Sequence, residues 1–277
     1  MIKLVLSDLD DTLIPFGAPC ASQRTLDAIR AVQAAGVHFA PCSGRPAVFL
    51  HDMFAGNDTA WSTTVLVNGQ EIRLDGRVAF QKMLDYATLV ELGHFMLGFE
   101  NSGLIVMIDG AEVAIGVSKQ TVLEHPDVFV SNPEVLPELP ERDYVKAIMY
   151  VYGGAEQVAH VCAACQERFP QFGFAIPTDG EPVIDVLPLG WSKARGADKL
   201  CELLGVSPDE VCVFGDAAND LPLLRAYPNS VAVANATDEV RSAARYLIGA
   251  CADDAVADAL LQIAEAAGTG GLPRFMR

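Results

Sequence analysis

Apolar and polar positions follow two different rhythms along this chain. Met1 to Leu6 is a largely apolar run of strand length, the pattern of a strand buried in a sheet. From Ser22 the period lengthens: Leu26, Ile29 and Val32 recur at helical spacing, and Gly36 stands where a helix C-terminal cap belongs. Val37 to Pro41 then reads as a second strand. Strand, helix and strand at this spacing predict a βαβ unit, with neighbouring parallel strands joined by a right-handed crossover. "STTVLVNG" predicts a third strand ending at Asn68-Gly69.

From about Glu71 to about Val183 the rhythm changes. Short strand-like pieces such as "GLIVMI" and "YVKAIMYVYG" alternate with helical stretches, and "SNPEVLPELPERD", residues 131–143, is a proline-rich connection. This predicts an inserted α+β domain. Beyond it "EVCVFGD", "SVAVANA" and "ARYLIG" are short apolar strands separated by helical segments, which restores the opening rhythm. The expected organisation is a discontinuous α/β core of residues 1–71 and 187–277, with residues 72–186 inserted. "GTGGLPRFMR" reads as a loose tail, and no internal repeat or low-complexity block is evident.

Composition narrows the function classes. The 277 residues are 51% hydrophobic, yet no apolar run approaches the roughly 18 to 20 residues of a membrane-spanning helix. Asp8 interrupts the first apolar run before it could serve as a signal peptide, so the expectation is a soluble cytoplasmic protein without a membrane partner. A net charge of −17 argues against nucleic-acid binding, and it means that a phosphate ligand needs cationic help supplied locally. Seven cysteines, an odd number in a chain of this kind, predict reduced thiols rather than a disulfide framework.

The chemistry is concentrated in "SDLDDT". Asp8 and Asp10 fall just past the expected carboxyl end of the first strand, the edge at which open α/β sheets bind ligands. Residues two apart in an extended segment point the same way, so both carboxylates can address one site while Leu9 turns inward. Three more segments deliver complementary groups at expected strand ends. Ser43, Gly44 and Arg45 follow the second strand and lead into an expected helix, with a hydroxyl and backbone N–H groups for a phosphate oxygen. Lys193 supplies a cation where the chain returns from the insertion. Asp216 and Asp220 follow another apolar strand, with Gly215 permitting a tight turn and Asn219 placed as an N-cap.

Each segment has a plainer reading when taken alone: a polar loop, an ordinary turn, a solvated lysine, a capped helix. Together they suit phosphoryl transfer, in which a carboxylate must approach a dianion that repels it. A hard divalent cation and a lysine remove that repulsion, and Mg²⁺ favours oxygen ligands of this kind. Asp8 is then the nucleophile, Asp10 protonates the leaving oxygen and later takes a proton from water, and Asp11 serves the turn.

In this order the segments resemble the four motifs of the haloacid dehalogenase superfamily of phosphohydrolases. "DLDDT" stands for the first motif, Ser43 for the second, Lys193 for the third and "GDAAND" for the fourth. "SGRP", "VNGQEI", "VIDVLPLGWSK" and "VAVANATDEV" are similar to the Cof-type subgroup, which carries a large α/β cap between motifs two and three. The resemblance covers both core segments well and the insertion weakly; "GACADDAVADAL" departs from the usual late phrase around an Asp-Gly pair. It implies a Rossmann-like, doubly wound, mostly parallel core with an inserted α+β cap domain. It also implies a Mg²⁺-dependent phosphatase that hydrolyses a small phosphorylated metabolite, such as a sugar phosphate, through an aspartyl-phosphate.

By the same resemblance Asp8 is the nucleophile and Asp10 the general acid/base, Thr12 orients the loop, and Ser43 and Lys193 hold the phosphate, with Asn219 as a further contact. The metal ligands are the Asp8 and Asp216 side chains and the Asp10 backbone carbonyl, and Asp220 supports them from behind. Gly44 and Arg45 join the phosphate side by their position next to Ser43. The same covalent step could serve a phosphomutase or phosphotransferase, and a phospho-accepting signalling module uses similar groups in a different chain order. The sequence does not set an oligomeric state.

Three other signals carry less. Cys162 and Cys165 share a helical stripe with Val158 and Phe169, a core pattern, and no second ligand pair accompanies them. Cys42 adjoins Ser43 without a histidine in a partnering motif, so it reads as a small buried residue. Asp11-Thr12-Leu13 lacks the glycine of the aspartic-protease signature.

Overall fold

In the computed structural model, which describes residues 1–124, 133–177 and 182–277, the first apolar run forms strand β1 (Leu4–Ser7), buried at every position. Helix α1 (Gln23–Ala34) begins where Ser22 caps it, the hydroxyl accepting from the Thr25 backbone N–H, and it buries Leu26, Ile29 and Val32. Gly36, at φ +79°, turns the chain into β2 (His38–Pro41), which runs parallel to β1 with Leu6 opposite Ala40.

Pro46 leads into a 3₁₀ turn and then the single-turn helix α2 (Leu50–Met53), the helix expected after Ser43, Gly44 and Arg45. Ala55 and Gly56, both at positive φ, end it. The third strand, β3 (Thr64–Leu66), departs from expectation. It joins the parallel sheet only through a bridge from Val65 to Cys42, and pairs antiparallel with β4 (Glu71–Leu74), which pairs in turn with β5 (Arg77–Gln81). The strand stops short of Asn68-Gly69 because Val67, Asn68 and Gly69 all take positive φ and reverse the chain. Since the β4–β5 hairpin stays with this sheet, the first compact unit comprises Met1–Gln81 and Ser192–Arg277, so its first segment passes the expected boundary at 71 by one hairpin.

The second unit, Lys82–Trp191, contains α3 (Tyr86–Met96), β6 (Ser102–Ile108), β7 (Ala111–Ile115), α4 (Lys119–Glu124), β8 (Glu134–Val135), β9 (Ala147–Val151), α5 (Ala155–Arg168), β10 (Phe172–Ala175) and β11 (Val183–Pro188). Its sheet has the order β10-β11-β9-β6-β7-β8, antiparallel except for the β7–β8 pair. Leu104, Val106, Met149 and Ile184 of the strands form one core with Leu89 and Leu92 of α3 and Val158, Val161 and Cys165 of α5. The proline-rich connection falls in this unit; its first two residues lie outside the described residues.

Back in the first unit come α6 (Lys193–Leu204), β12 (Val211–Gly215), α7 (Leu221–Ala226), β13 (Asn229–Ala232), α8 (Asp238–Ala243), β14 (Tyr246–Leu247) and α9 (Ala255–Thr269). The five parallel strands have the order β14-β13-β12-β1-β2. From β1 the chain builds outward to β2 on one side, and from β12 outward to β14 on the other. Strand order therefore reverses between β1 and β12, the switch point at which an open α/β sheet leaves a crevice at its carboxyl edge.

The expected loose tail is anchored. Phe275 lies 6.3 Å, centroid to centroid, from both Phe214 and Tyr246, its N–H donates to Gln262 Oε1, and Met276 is buried. The apolar surface of these two residues is enough to hold a short 3₁₀ turn in place. All seven cysteines are free thiols, and among the described residues no helix is long and apolar enough to cross a membrane.

Candidate active site

The Asp8 N–H donates to Phe214 O, which carries the β1–β12 ladder one residue past the strand and delivers the carboxylate to the switch point. Leu9 turns into the core, fully buried, so Asp8 and Asp10 share the opposite side of the segment. Asp11 takes a left-handed conformation, φ 54°, and its Oδ1 accepts from the Phe16 N–H, which closes the loop. Thr12 is buried and donates a 2.5 Å hydrogen bond to Asp216 Oδ1.

Lys193 opens α6 and its ammonium is wholly buried. Nζ lies 2.7 Å from Asp8 Oδ1 and 2.6 Å from Asp220 Oδ1. The first turn of α6 reaches this place by a backbone-to-backbone contact. A Cβ built on Gly196 would stand 2.3 Å from Gly69 Cα, and one on Gly69 would stand 2.4 Å from Ser192 O. Only glycines permit so close an approach, and Gly69 also sits at φ +93°.

The second acidic loop is closed by Asp220, whose Oδ2 accepts from the backbone N–H groups of Asp216 and Ala217. A side chain at Gly215 would collide with it, since a Cβ there would lie 2.6 Å from Asp220 Cβ. Asn219 is not the N-cap that its position suggests: it lies inside the 3₁₀ turn Ala218–Asp220, and Asp220 reaches back to satisfy the loop's donors instead. Asn219 Oδ1 is buried and accepts no hydrogen bond.

On the other flank, Ser43 is buried beyond β2, its N–H bonded to Val65 O and its Oγ accepting from the Arg45 N–H. Gly44 packs against the Asn68 amide, at a distance that leaves little room for a side chain. Arg45 grips Asp10 with two hydrogen bonds of 2.7 Å, from Nε to Oδ2 and from Nη2 to Oδ1. Nothing in the local sequence signals that pair, which depends on β1 and β2 ending side by side.

Three carboxylates, those of Asp8, Asp216 and Asp220, bring oxygens within 4.8 Å of one another around a single ammonium, the only such cluster of ligating side chains among the described residues. Burial, and then the neighbouring Asp220, hold the Asp8 carboxyl well above its ordinary value. Burial likewise pushes Asp216 up to about 6, against the hydrogen bond from Thr12. Burial works against the charge of Lys193, but Asp220 and Asp8 outweigh it and keep the lysine protonated.

The donor set fits a hard divalent cation. Both oxygens of Asp220 are engaged, by Lys193 and by two backbone N–H groups. Among the described residues Asp8 Oδ2 and Asp216 Oδ2 accept no hydrogen bond, so two open oxygens remain beside an uncompensated negative charge. Such all-oxygen sites suit Mg²⁺ and similar ions. The thiols offer nothing comparable: burial pushes Cys42 up, and Cys165 up to about 12, away from the reactive thiolate.

The sequence model of the haloacid dehalogenase-like hydrolases matches residues 5–260. The 5-amino-6-(5-phospho-D-ribitylamino)uracil phosphatase YbjI of Escherichia coli (strain K12) is 27% identical over 272 residues, covering 94% of this chain and 95% of that protein. Among solved structures, the phosphatase BT1666 from Bacteroides thetaiotaomicron aligns with a TM-score of 0.80 at 22% identity, over 95% of each chain. The subclass IIB sugar phosphatase BT4131 aligns with a TM-score of 0.77 at 18% identity, over 93% of this chain and 97% of its own. The chain belongs to the haloacid dehalogenase-like hydrolase family. Within that family it is a phosphoric monoester hydrolase.

Proposed function

We propose that the protein is a Mg²⁺-dependent phosphatase of a small phosphorylated metabolite, a sugar phosphate or a phosphorylated sugar alcohol, acting through an aspartyl-phosphate on Asp8. The observation that carries this reading is the division of labour around Lys193. The ammonium holds one oxygen of Asp8, just past the carboxyl end of β1 beside β12, and leaves the other, Oδ2, with no hydrogen bond among the described residues. The phosphorylated ribityl group in the name of the 27% identical relative supports the substrate class.

Asp8 Oδ2 attacks phosphorus as the bond from phosphorus to the leaving oxygen breaks, and the Asp10 carboxyl gives that oxygen its proton. Water then attacks the phosphorus of the acyl phosphate, Asp10 takes the water's proton, and the Asp8 carboxylate departs as inorganic phosphate is released. Lys193 keeps Asp8 oriented and offsets charge on the phosphate, while Ser43 Oγ and the Asn219 amide supply polar contacts to its oxygens. Asp8, Asp216 and the Asp10 backbone carbonyl would hold Mg²⁺, supported by Asp220, and the ion would neutralise the repulsion between nucleophile and phosphate.

The test is phosphate release from a panel of sugar phosphates, sugar-alcohol phosphates, nucleotides and p-nitrophenyl phosphate, with Mg²⁺ or with chelator. Release that requires the ion and ranks the sugar-type esters first is expected. Chelator-insensitive release would contradict the metal dependence, and a product carrying the phosphoryl group on an added acceptor would point to a transferase.

A further inference from the structure

Arg45 makes the only side-chain hydrogen bonds to the Asp10 carboxylate among the described residues. The two parallel bonds are the fork geometry in which a guanidinium fixes the plane of a carboxylate as well as its place. Arg45 is itself anchored. Its N–H donates to Ser43 Oγ, its carbonyl accepts from the Val67 N–H, and its guanidinium carbon stands 6.0 Å from the centre of the Phe49 ring. Val67 is a β-branched residue at φ 52°, a conformation that a chain keeps only where its surroundings enforce it.

We infer that Arg45 is the positioning residue for Asp10, holding the carboxyl group in line for proton transfer, and is not primarily the phosphate contact that its place beside Ser43 suggests. The inference rests on the phosphatase reading above. The Asp10 side chain is 47% exposed, so packing alone does not select its rotamer. A carboxylate has about four lone-pair sites, of which Arg45 occupies two; the remainder are left for a leaving oxygen or a water. Proton transfer falls off quickly with misorientation, so a freely rotating Asp10 would lose rate where a proton is needed. Lysine, a single point charge, cannot fix the plane.

Dependence on the leaving group separates positioning from phosphate binding. A sugar hydroxyl leaves with the proton that Asp10 supplies, whereas p-nitrophenolate leaves as a stable anion. The ratio kcat/KM reports the steps through cleavage of the phosphorus–oxygen bond. It is to be measured for a sugar phosphate and for p-nitrophenyl phosphate with the wild-type protein, Arg45→Ala and Arg45→Lys. Arg45→Ala is expected to lower kcat/KM for the sugar phosphate at least about 10-fold more than for p-nitrophenyl phosphate, a part of what general acid catalysis supplies. Arg45→Lys should not restore the difference. Equal losses on the two esters, carried by KM, would make Arg45 a phosphate ligand and overturn the inference; no loss, or full rescue by lysine, would do the same. Failure of the phosphatase reading shows separately, as a wild-type protein that releases phosphate from neither ester. A crystal structure of Arg45→Ala gives a readout independent of activity: the Asp10 carboxylate is expected to leave its wild-type place, and an unmoved carboxylate would overturn the positioning role.

Discussion

Lys193 Nζ lies 2.6 Å from Asp220 Oδ1, with both side chains closed off from solvent. A buried pair of this kind adds little compared with an apolar pair, but removing one partner strands the other. Asp220→Ala would also leave the N–H groups of Asp216 and Ala217 without their acceptor. We expect a loss of about 3–5 kcal/mol in urea unfolding of the metal-free protein. Asp220→Asn, which keeps an acceptor oxygen, should cost less. An Asp220→Ala midpoint equal to wild type would contradict this account of the loop.

The contact between Gly69 and Gly196 makes a second prediction. Gly196→Ala would drive a methyl group into Gly69 Cα and Val65 Cγ1, so the first turn of α6 must shift and carry Lys193 with it. Overpacking of this sort costs about 1–3 kcal/mol. Gly268→Ala in α9 is the control: nothing lies within 4 Å of its Cβ position, and alanine there should stabilise by up to about 1 kcal/mol. The opposite order in thermal unfolding would be inconsistent with the packing described.

Cation binding should depend on pH, with a predictable sign. Burial raises the carboxyl of Asp216 from its ordinary 3.8 to about 6, so the folded metal-free protein holds this proton where the unfolded chain has released it. Metal-free stability from this group therefore falls as pH rises between about 4 and 6. A cation binds the ionised carboxylates and competes with the same proton. The rise in Tm on adding Mg²⁺ should be small at pH 5 and substantially larger at pH 7.5. An equal rise at both would indicate binding away from the Asp8–Asp216 pair.

Much of the fold could be read from the chain because short-range signals agreed with long-range ones. The apolar run ending at Ser7, the Ser22 cap and the helical spacing of Leu26, Ile29 and Val32 each appear in the structure as local rules predict. The meeting of Asp8, Asp216 and Asp220 followed from a topological rule, that ligands gather at the carboxyl edge of parallel strands; Lys193 follows no strand of that sheet and reaches them from the first turn of α6, where Gly196 packs on Gly69. What escaped the sequence depends on contacts without a local signature. The grip of Arg45 on Asp10 joins two loops 35 residues apart. Val67 gives no hint of its positive φ, so β3 reads as running on to Asn68-Gly69 when it stops at Leu66. Asn219 has the composition of a cap, but Asp220, held by Lys193, took that role. The C-terminal residues look polar and glycine-rich, and two apolar side chains, Phe275 and Met276, were enough to pin them.

The most direct test of the central claim is turnover by Asp8→Asn. The amide keeps the shape of the side chain and an oxygen for Lys193, but it is not a nucleophile. Asp8→Asn is expected to fold with an unfolding transition at least as cooperative as wild type, while release of phosphate from the best wild-type substrate in Mg²⁺ falls to background. Retained turnover by a folded Asp8→Asn protein would contradict an aspartyl-phosphate on Asp8.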